Sequence, residues 1–141
     1  MRGGVLLDTG PLVASINRRD RFHEWAKAQL GQIEPQLLTC EAVLGEACFL
    51  LRHLTVGSRA IAEMVDRKIV EIPFRLDAHA KSLAHLLDKY SNVPISLADA
   101  CLVRMSELYE NVVVLTLDRD FELYRRHGRQ VIPTLMPPKP Q

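Results

Sequence analysis

The sequence predicts an α/β fold, a three-layer arrangement in which a parallel β-sheet carries helices on both faces. Short apolar runs alternate with one or two stretches of helical length along the chain, the pattern of repeated strand–helix units. Two of those runs, Val5-Leu6-Leu7 and the β-branched stretch at 112–117, read as strands, the first of them buried. No internal repeat and no long linker divides the 141 residues, so a single domain with a real core is expected.

The elements follow in order. The first strand, 5–7, ends at Asp8, and Gly10-Pro11 supplies a turn and a helix-compatible start. A short apolar helix is expected at 11–17 and a polar break at 18–21. A second helix at 23–30 takes its apolar stripe from Phe22, Trp25, Ala26 and Leu30. A second strand is read at 36–39, a strong helix at 41–54, a further helix at 57–67, and a third strand at 69–72 closed by Pro73. A helix at 77–90 carries Ala80, Leu83, Ala84 and Leu87 on one side. A loop at 91–94 leads to a helix at 96–108, the strand at 112–117, a short helix at 120–127 ended by Gly128, and a last strand at 131–134. The tail 136–141 is expected to be extended or disordered.

Composition bounds the function. With 48% apolar and 25% charged residues the chain reads as an ordinary soluble domain. No apolar run approaches the ~20 residues of a membrane span, and the start Met1-Arg2-Gly3-Gly4 leads into too few apolar residues for a secretory signal. Cys40, Cys48 and Cys101, odd in number and set in apolar surroundings, read as reduced core thiols of a cytoplasmic protein. The net charge of +1 neither requires nor excludes a nucleic acid partner. If several acids are gathered in a metal-filled cleft, the rest of the body is mildly basic and suits a polyanion.

Four acids stand out by position. Asp8 closes the first strand, where open α/β sheets keep their ligand crevice, although a turn or cap role also fits it. In the helix 41–54, Val43, Ala47, Leu50 and Leu54 form the core stripe and Glu46 lies about 60° from Val43, at its edge. Glu41 lies on the opposite side and is expected in solvent. An acid beside an apolar stripe needs a partner, unless its head reaches water. Asp99 sits in Ser96-Leu97-Ala98-Asp99, which has the form of a capping box, and a first-turn acid also points toward the crevice region. Asp118 follows the strand 112–117, and Asp120 competes with it both as acid and as cap. Thr116, two residues before Asp118, shares its side of the strand and can orient a carboxylate or a water. Gathered carboxylates repel by about 4 kcal/mol per ionised pair at ~4 Å, so one takes a proton or a cation enters. With no His or Cys cluster beside them the donors are oxygens, which favours Mg²⁺ or Mn²⁺ over Zn²⁺.

At these residues the chain resembles the PIN-domain nucleases, and within them the VapC-type toxins of toxin–antitoxin pairs. The matching pieces are Leu7-Asp8-Thr9-Gly10-Pro11-Leu12-Val13, Glu46-Ala47, Ser96-Leu97-Ala98-Asp99-Ala100 and Leu115-Thr116-Leu117-Asp118-Arg119-Asp120-Phe121, and the acids occur in the family's order. The resemblance implies a five-stranded parallel sheet in the order 3-2-1-4-5, within a PIN-like domain spanning 1–135 ahead of the Pro-rich tail. It implies Mg²⁺- or Mn²⁺-dependent cleavage of single-stranded RNA. It carries over Asp8, Glu46, Asp99 and Asp118 as metal ligands and catalytic acids, with Thr116 in support and Asp120 as a substitute for Asp118. It also implies a homodimer blocked by a small antitoxin protein. Apolar groups near Trp25 and at 61–65 serve either such contacts or the core.

The chemistry expected is hydrolysis of a phosphodiester by a metal-activated water, with Glu46 or Asp99 accepting its proton. Arg18, Arg19, Arg21, Arg104 and Arg119 are candidates for phosphate contacts. A phosphatase of the haloacid dehalogenase type wants a second Asp where Gly10 stands, and a receiver domain wants an acidic pair beside its first strand. Two readings remain beside a toxin: a PIN-domain nuclease of RNA processing, and a non-catalytic RNA- or protein-binding module of the same fold.

Overall fold

The computed structural model describes residues 4–34 and 36–139. Four parallel strands form one sheet in the order β2 (Gln36–Leu38), β1 (Gly4–Leu7), β3 (Val112–Leu115), β6 (Thr134–Leu135). Each residue of β1 is buried, so the central strand is covered on both faces. The helices are α1 (Thr9–Ile16), α2 (His23–Gln32), α3 (Glu41–Leu50), α4 (Gly57–Asp66), α5 (Ala80–Lys89) and α6 (Leu97–Leu108). Helix α1 packs on α2 and α3, while α6 packs on α3, α5, β1 and β3. The core joins Leu6 and Leu7 of β1 to Leu12, Val43, Leu102 and Leu115. Among the described residues no helix is long and apolar enough to cross a membrane.

The α/β class and the helices on both faces are as expected, but the sheet has four strands where five were expected. The third predicted strand, 69–72, is a single parallel bridge between Leu38 and Glu71, held by Thr39 N–H to Glu71 O and Glu71 N–H to Leu37 O. Lys68 at φ 58° bends the chain into it, and Pro73 removes the next donor. The bridge lies beside β2, so the order of the predicted strands is kept. The last strand begins at Thr134 rather than at 131, because Val131 belongs to a hairpin and is 65% exposed.

That hairpin replaces most of the short helix expected at 120–127. One 3₁₀ turn, Arg119–Glu122, is followed by β4 (Arg125–Arg126) antiparallel to β5 (Gln130–Val131). Gly128, read as a helix stop, is instead a residue of the connecting turn at φ 80°, next to His127 at φ 51°. Helix α3 ends at Leu50 rather than Leu54, and its buried stripe is Val43, Ala47 and Leu51. Gly57 then packs so closely on Leu51 that an added Cβ would lie 2.7 Å from the Leu51 Cβ. The helix predicted at 77–90 divides into a 3₁₀ turn, Asp77–His79, and α5, and its buried residues are Leu83 and Leu86. Trp25, Met64 and Val65 pack against the core, and Ile61 is buried in it. In the tail, 136–139 has no regular structure, while 140–141, like the first three residues, lies outside the described residues.

Candidate active site

The parallel pairing of β1 with β3 sets Leu7 opposite Leu115, so the residues that follow each strand emerge side by side. Asp8 N–H donates to Leu115 O at 3.0 Å, continuing the ladder by one bond. The Asp8 side chain is held at both oxygens. Oδ1 accepts from Thr9 N–H at 2.8 Å as the cap of α1, and Oδ2 accepts from the Thr116 hydroxyl at 2.6 Å. Thr116 Oγ1 in turn accepts from Asp118 N–H at 2.9 Å, and Asp118 Oδ1 accepts from Asp120 N–H at 2.9 Å. A single hydroxyl thus links both strand-end acids. Gly10 is not a turn residue: it lies in the first turn of α1, where an added Cβ would meet Leu117 at 3.2 Å.

Asp99 reaches the same place from α6. Ser96 and Asp99 form the expected capping box, with Asp99 N–H to Ser96 Oγ at 3.0 Å and Ser96 N–H to Asp99 Oδ2 at 3.4 Å. The buried Tyr124 also donates its hydroxyl to Asp99 Oδ2, at 3.2 Å. Both bonds fall on one oxygen, leaving Oδ1 for another partner. Glu46 comes from α3, exposed, on the same side of the helix as the half-exposed Leu50.

These side chains line one open cleft of about 350 Å³, walled by Asp8, Thr9, Glu46, Asp99, Leu117 and Asp118. All four carboxylates expected to meet therefore border the same space. Asp120 is not part of that wall; its backbone N–H instead fixes Asp118. Burial pushes the Asp8 carboxyl up to about 7, against the lowering by Thr116 and Thr9, and the Asp99 and Asp118 charges add to the rise. Burial also raises Asp99, with Asp118 contributing. The Tyr124 phenol is raised by burial and by the neighbouring Asp99 carboxylate, so it stays a donor.

Such a set fits a hard divalent cation. The donors are oxygens, the charged form of Asp8 lacks solvation, and Thr9 Oγ1 is buried at the cleft with no hydrogen-bond partner among the described residues. Among those residues no three acid, His or Cys side chains close on one point as a cage would.

Two residues here were not among the sequence candidates, Thr9 and Tyr124. Nothing in the spacing marks Tyr124, whose partner Asp99 is 25 positions away. The arginines disperse. Arg104 pairs with Glu107 at 3.1 Å, and Arg18 and Arg19 are exposed. Arg21 and Arg119 line a hollow of about 210 Å³ that shares Leu117 with the cleft, although Arg119 is also paired with Glu122. The cysteines are free thiols, Cys40 and Cys101 buried and Cys48 half-buried.

The sequence matches the family model of the PIN domain over residues 5–126. No curated protein sequence matches it significantly. Among solved structures the fold is similar to that of Mycobacterium tuberculosis VapC20, described as a toxin that cleaves the sarcin–ricin loop. The TM-score is 0.74 and the identity 22%, over 92% of this chain and 100% of that one. At that identity the likeness is one of fold.

Proposed function

The chain belongs to the PIN-domain family, and from that premise we propose that it is a Mg²⁺- or Mn²⁺-dependent endoribonuclease, the toxin of a toxin–antitoxin pair acting on single-stranded RNA. The observation that carries the reading is the buried Asp8. Its carboxylate is desolvated, oriented by Thr116 and crowded by Asp99 and Asp118, an arrangement whose ionised form costs stability and that a bound cation would relieve.

Asp8, Asp118, Asp99 and Glu46 would hold the metal, directly or through water. The chemistry such an ion would supply there is a more acidic bound water and compensation of charge on the scissile phosphate. The residues do the rest. Thr116 fixes the angle of Asp8 and, through Asp118 N–H, the loop that carries Asp118. Asp99, steadied by its capping box and by Tyr124, takes the proton of the attacking water as the new P–O bond forms and the ribose oxygen leaves. Arg21 and Arg119, beyond Leu117, meet phosphates flanking the cut.

The toxin assignment rests on the fold shared with VapC20 and on the mouth of the cleft. Leu50 on its rim and the adjacent Phe49 are exposed at 44% and 61%, surface that suits a small antitoxin protein covering the site. A homodimer and a cytoplasmic location complete the proposal, the latter consistent with free thiols. The test is cleavage of a labelled single-stranded RNA with and without Mn²⁺. Wild-type protein cuts only with the ion, and a folded Asp8→Asn variant does not cut. An Asp8→Asn variant that cuts at the wild-type rate overturns the proposal.

A further inference from the structure

Away from the acidic cleft, α5 and the β4–β5 hairpin enclose a second groove, of about 370 Å³. Lys81, His85 and Lys89 lie four residues apart on one exposed face of α5, so their stems are spaced by about 6 Å along the helix. Arg125 faces them from the hairpin. The groove contains one acid, Glu107, and its charge is already occupied: Oε1 accepts from Arg104 at 3.1 Å and Oε2 from His127 N–H at 2.7 Å. Asp88, exposed at the edge of the stripe on α5, is not part of the lining. Among the described residues, Lys81, Lys89 and Arg125 are not ion-paired with any carboxylate. Lys89 meets the Gly128 carbonyl and lies 5.2 Å from the centre of the Tyr90 ring, and Arg125 meets the Glu122 and Tyr124 carbonyls.

The groove is joined to the cleft through one peptide. Tyr124 donates to Asp99, and the next residue, Arg125, lines the groove while its N–H is held by the Tyr90 hydroxyl at 2.9 Å. We propose that this groove binds the phosphate backbone of the RNA substrate on one side of the scissile bond. Lys81 and Lys89 stand two helical turns, about 12 Å, apart with Arg125 facing them, a spacing that spans phosphates along a strand, and their lack of carboxylate partners leaves them free for such a ligand. The inference rests on the RNA reading of the cleft, but it concerns binding rather than chemistry.

The experiment measures binding of a fluorescent 20-nucleotide single-stranded RNA of mixed sequence in EDTA, where metal-dependent cleavage does not intrude, across a range of salt. Wild type is compared with Lys81→Glu/Lys89→Glu and with Arg59→Glu/Arg67→Glu, an equal change of charge on α4 and its C-cap, outside the groove. The groove pair weakens binding at least about 10-fold more than the α4 pair. It also lowers the slope of log affinity against log salt by about 1.4, the loss of two single-strand phosphate contacts. Equal losses in the two pairs mean that net charge alone acts, and they overturn the proposal. So does unchanged RNA binding accompanied by loss of binding to a poly-glutamate peptide, which assigns the groove to an acidic polypeptide. If wild-type protein does not cleave RNA with Mn²⁺ yet binds it through Lys81 and Lys89, the catalytic reading fails and the groove stands.

Discussion

The two walls of the acidic cleft are built on different terms. The sheet wall is Asp8, Thr116 and Asp118, a chain of hydrogen bonds with Asp8 5% exposed and Thr116 fully buried. The helix wall is Glu46 on α3, exposed, with the half-exposed Leu50 one turn away. The first wall is preorganised and carries the Asp8 charge where little solvent reaches it. The second is solvated and its carboxylate is free to adjust to what arrives. The sheet side would set the position of an ion at a cost in stability, while the helix side would contribute to function at almost none.

Substitutions on the two walls should differ in kind. Asp8→Asn has the largest expected effect: RNA cleavage falls by about 10³-fold, while the chelator-treated protein gains on the order of 2 kcal/mol, because a desolvated carboxylate is replaced by a neutral amide. A loss of both activity and stability would make Asp8 an ordinary helix cap. Glu46→Gln lowers cleavage by about 10²-fold but moves stability by less than about 0.5 kcal/mol, as an exposed side chain should. If Glu46→Gln shifts the melting temperature as far as Asp8→Asn does, the walls are not different in kind. Thr116→Val leaves Asp8 without its hydroxyl donor and Asp118 N–H without an acceptor, which costs about 1–3 kcal/mol of unfolding free energy, measured by denaturant titration, and about 10-fold in cleavage. Tyr124→Phe is the smallest, a few-fold in cleavage and about 1 kcal/mol, since Asp99 keeps its capping box.

The contrast also has a pH signature in metal-free protein. The Asp8 carboxyl is raised from its ordinary 3.8 to about 7, so the folded state holds this proton more tightly than the unfolded chain. The resulting loss of stability is absent below about 4, grows as pH rises between the two values, and is complete above about 7. Denaturation of wild type in chelator should therefore become easier across that window, and Asp8→Asn should flatten the profile there.

Much of the sheet wall was legible because it is written in consecutive residues. Val5-Leu6-Leu7-Asp8 names a buried strand and the acid at its end; Thr116 and Asp118 were paired by strand alternation, but β3 ends at Leu115 and the pair is joined instead by the Asp118 N–H to Thr116 Oγ1 bond just past the strand. The capping box at Ser96 was readable for the same reason. Glu46 could be placed at the edge of a helical stripe, although the stripe runs through Leu51 rather than Leu50. What was lost depends on contacts between distant segments. The segment Tyr124–Gly128 offers no alternation of apolar and polar residues, so its hairpin read as a helix, and with it went both the Tyr124–Asp99 bond and the basic groove. The reduction of 69–72 to one bridge likewise follows from Lys68 and Pro73 at its flanks rather than from its apolar content.

The most direct test of the central claim is calorimetric titration of Mn²⁺ into chelator-treated protein, wild type beside Asp8→Asn, with circular dichroism to confirm that both are folded. Saturable binding to wild type, weakened at least about 10-fold in Asp8→Asn, is the predicted result. No binding to wild type, or equal affinity in the two proteins, would contradict it.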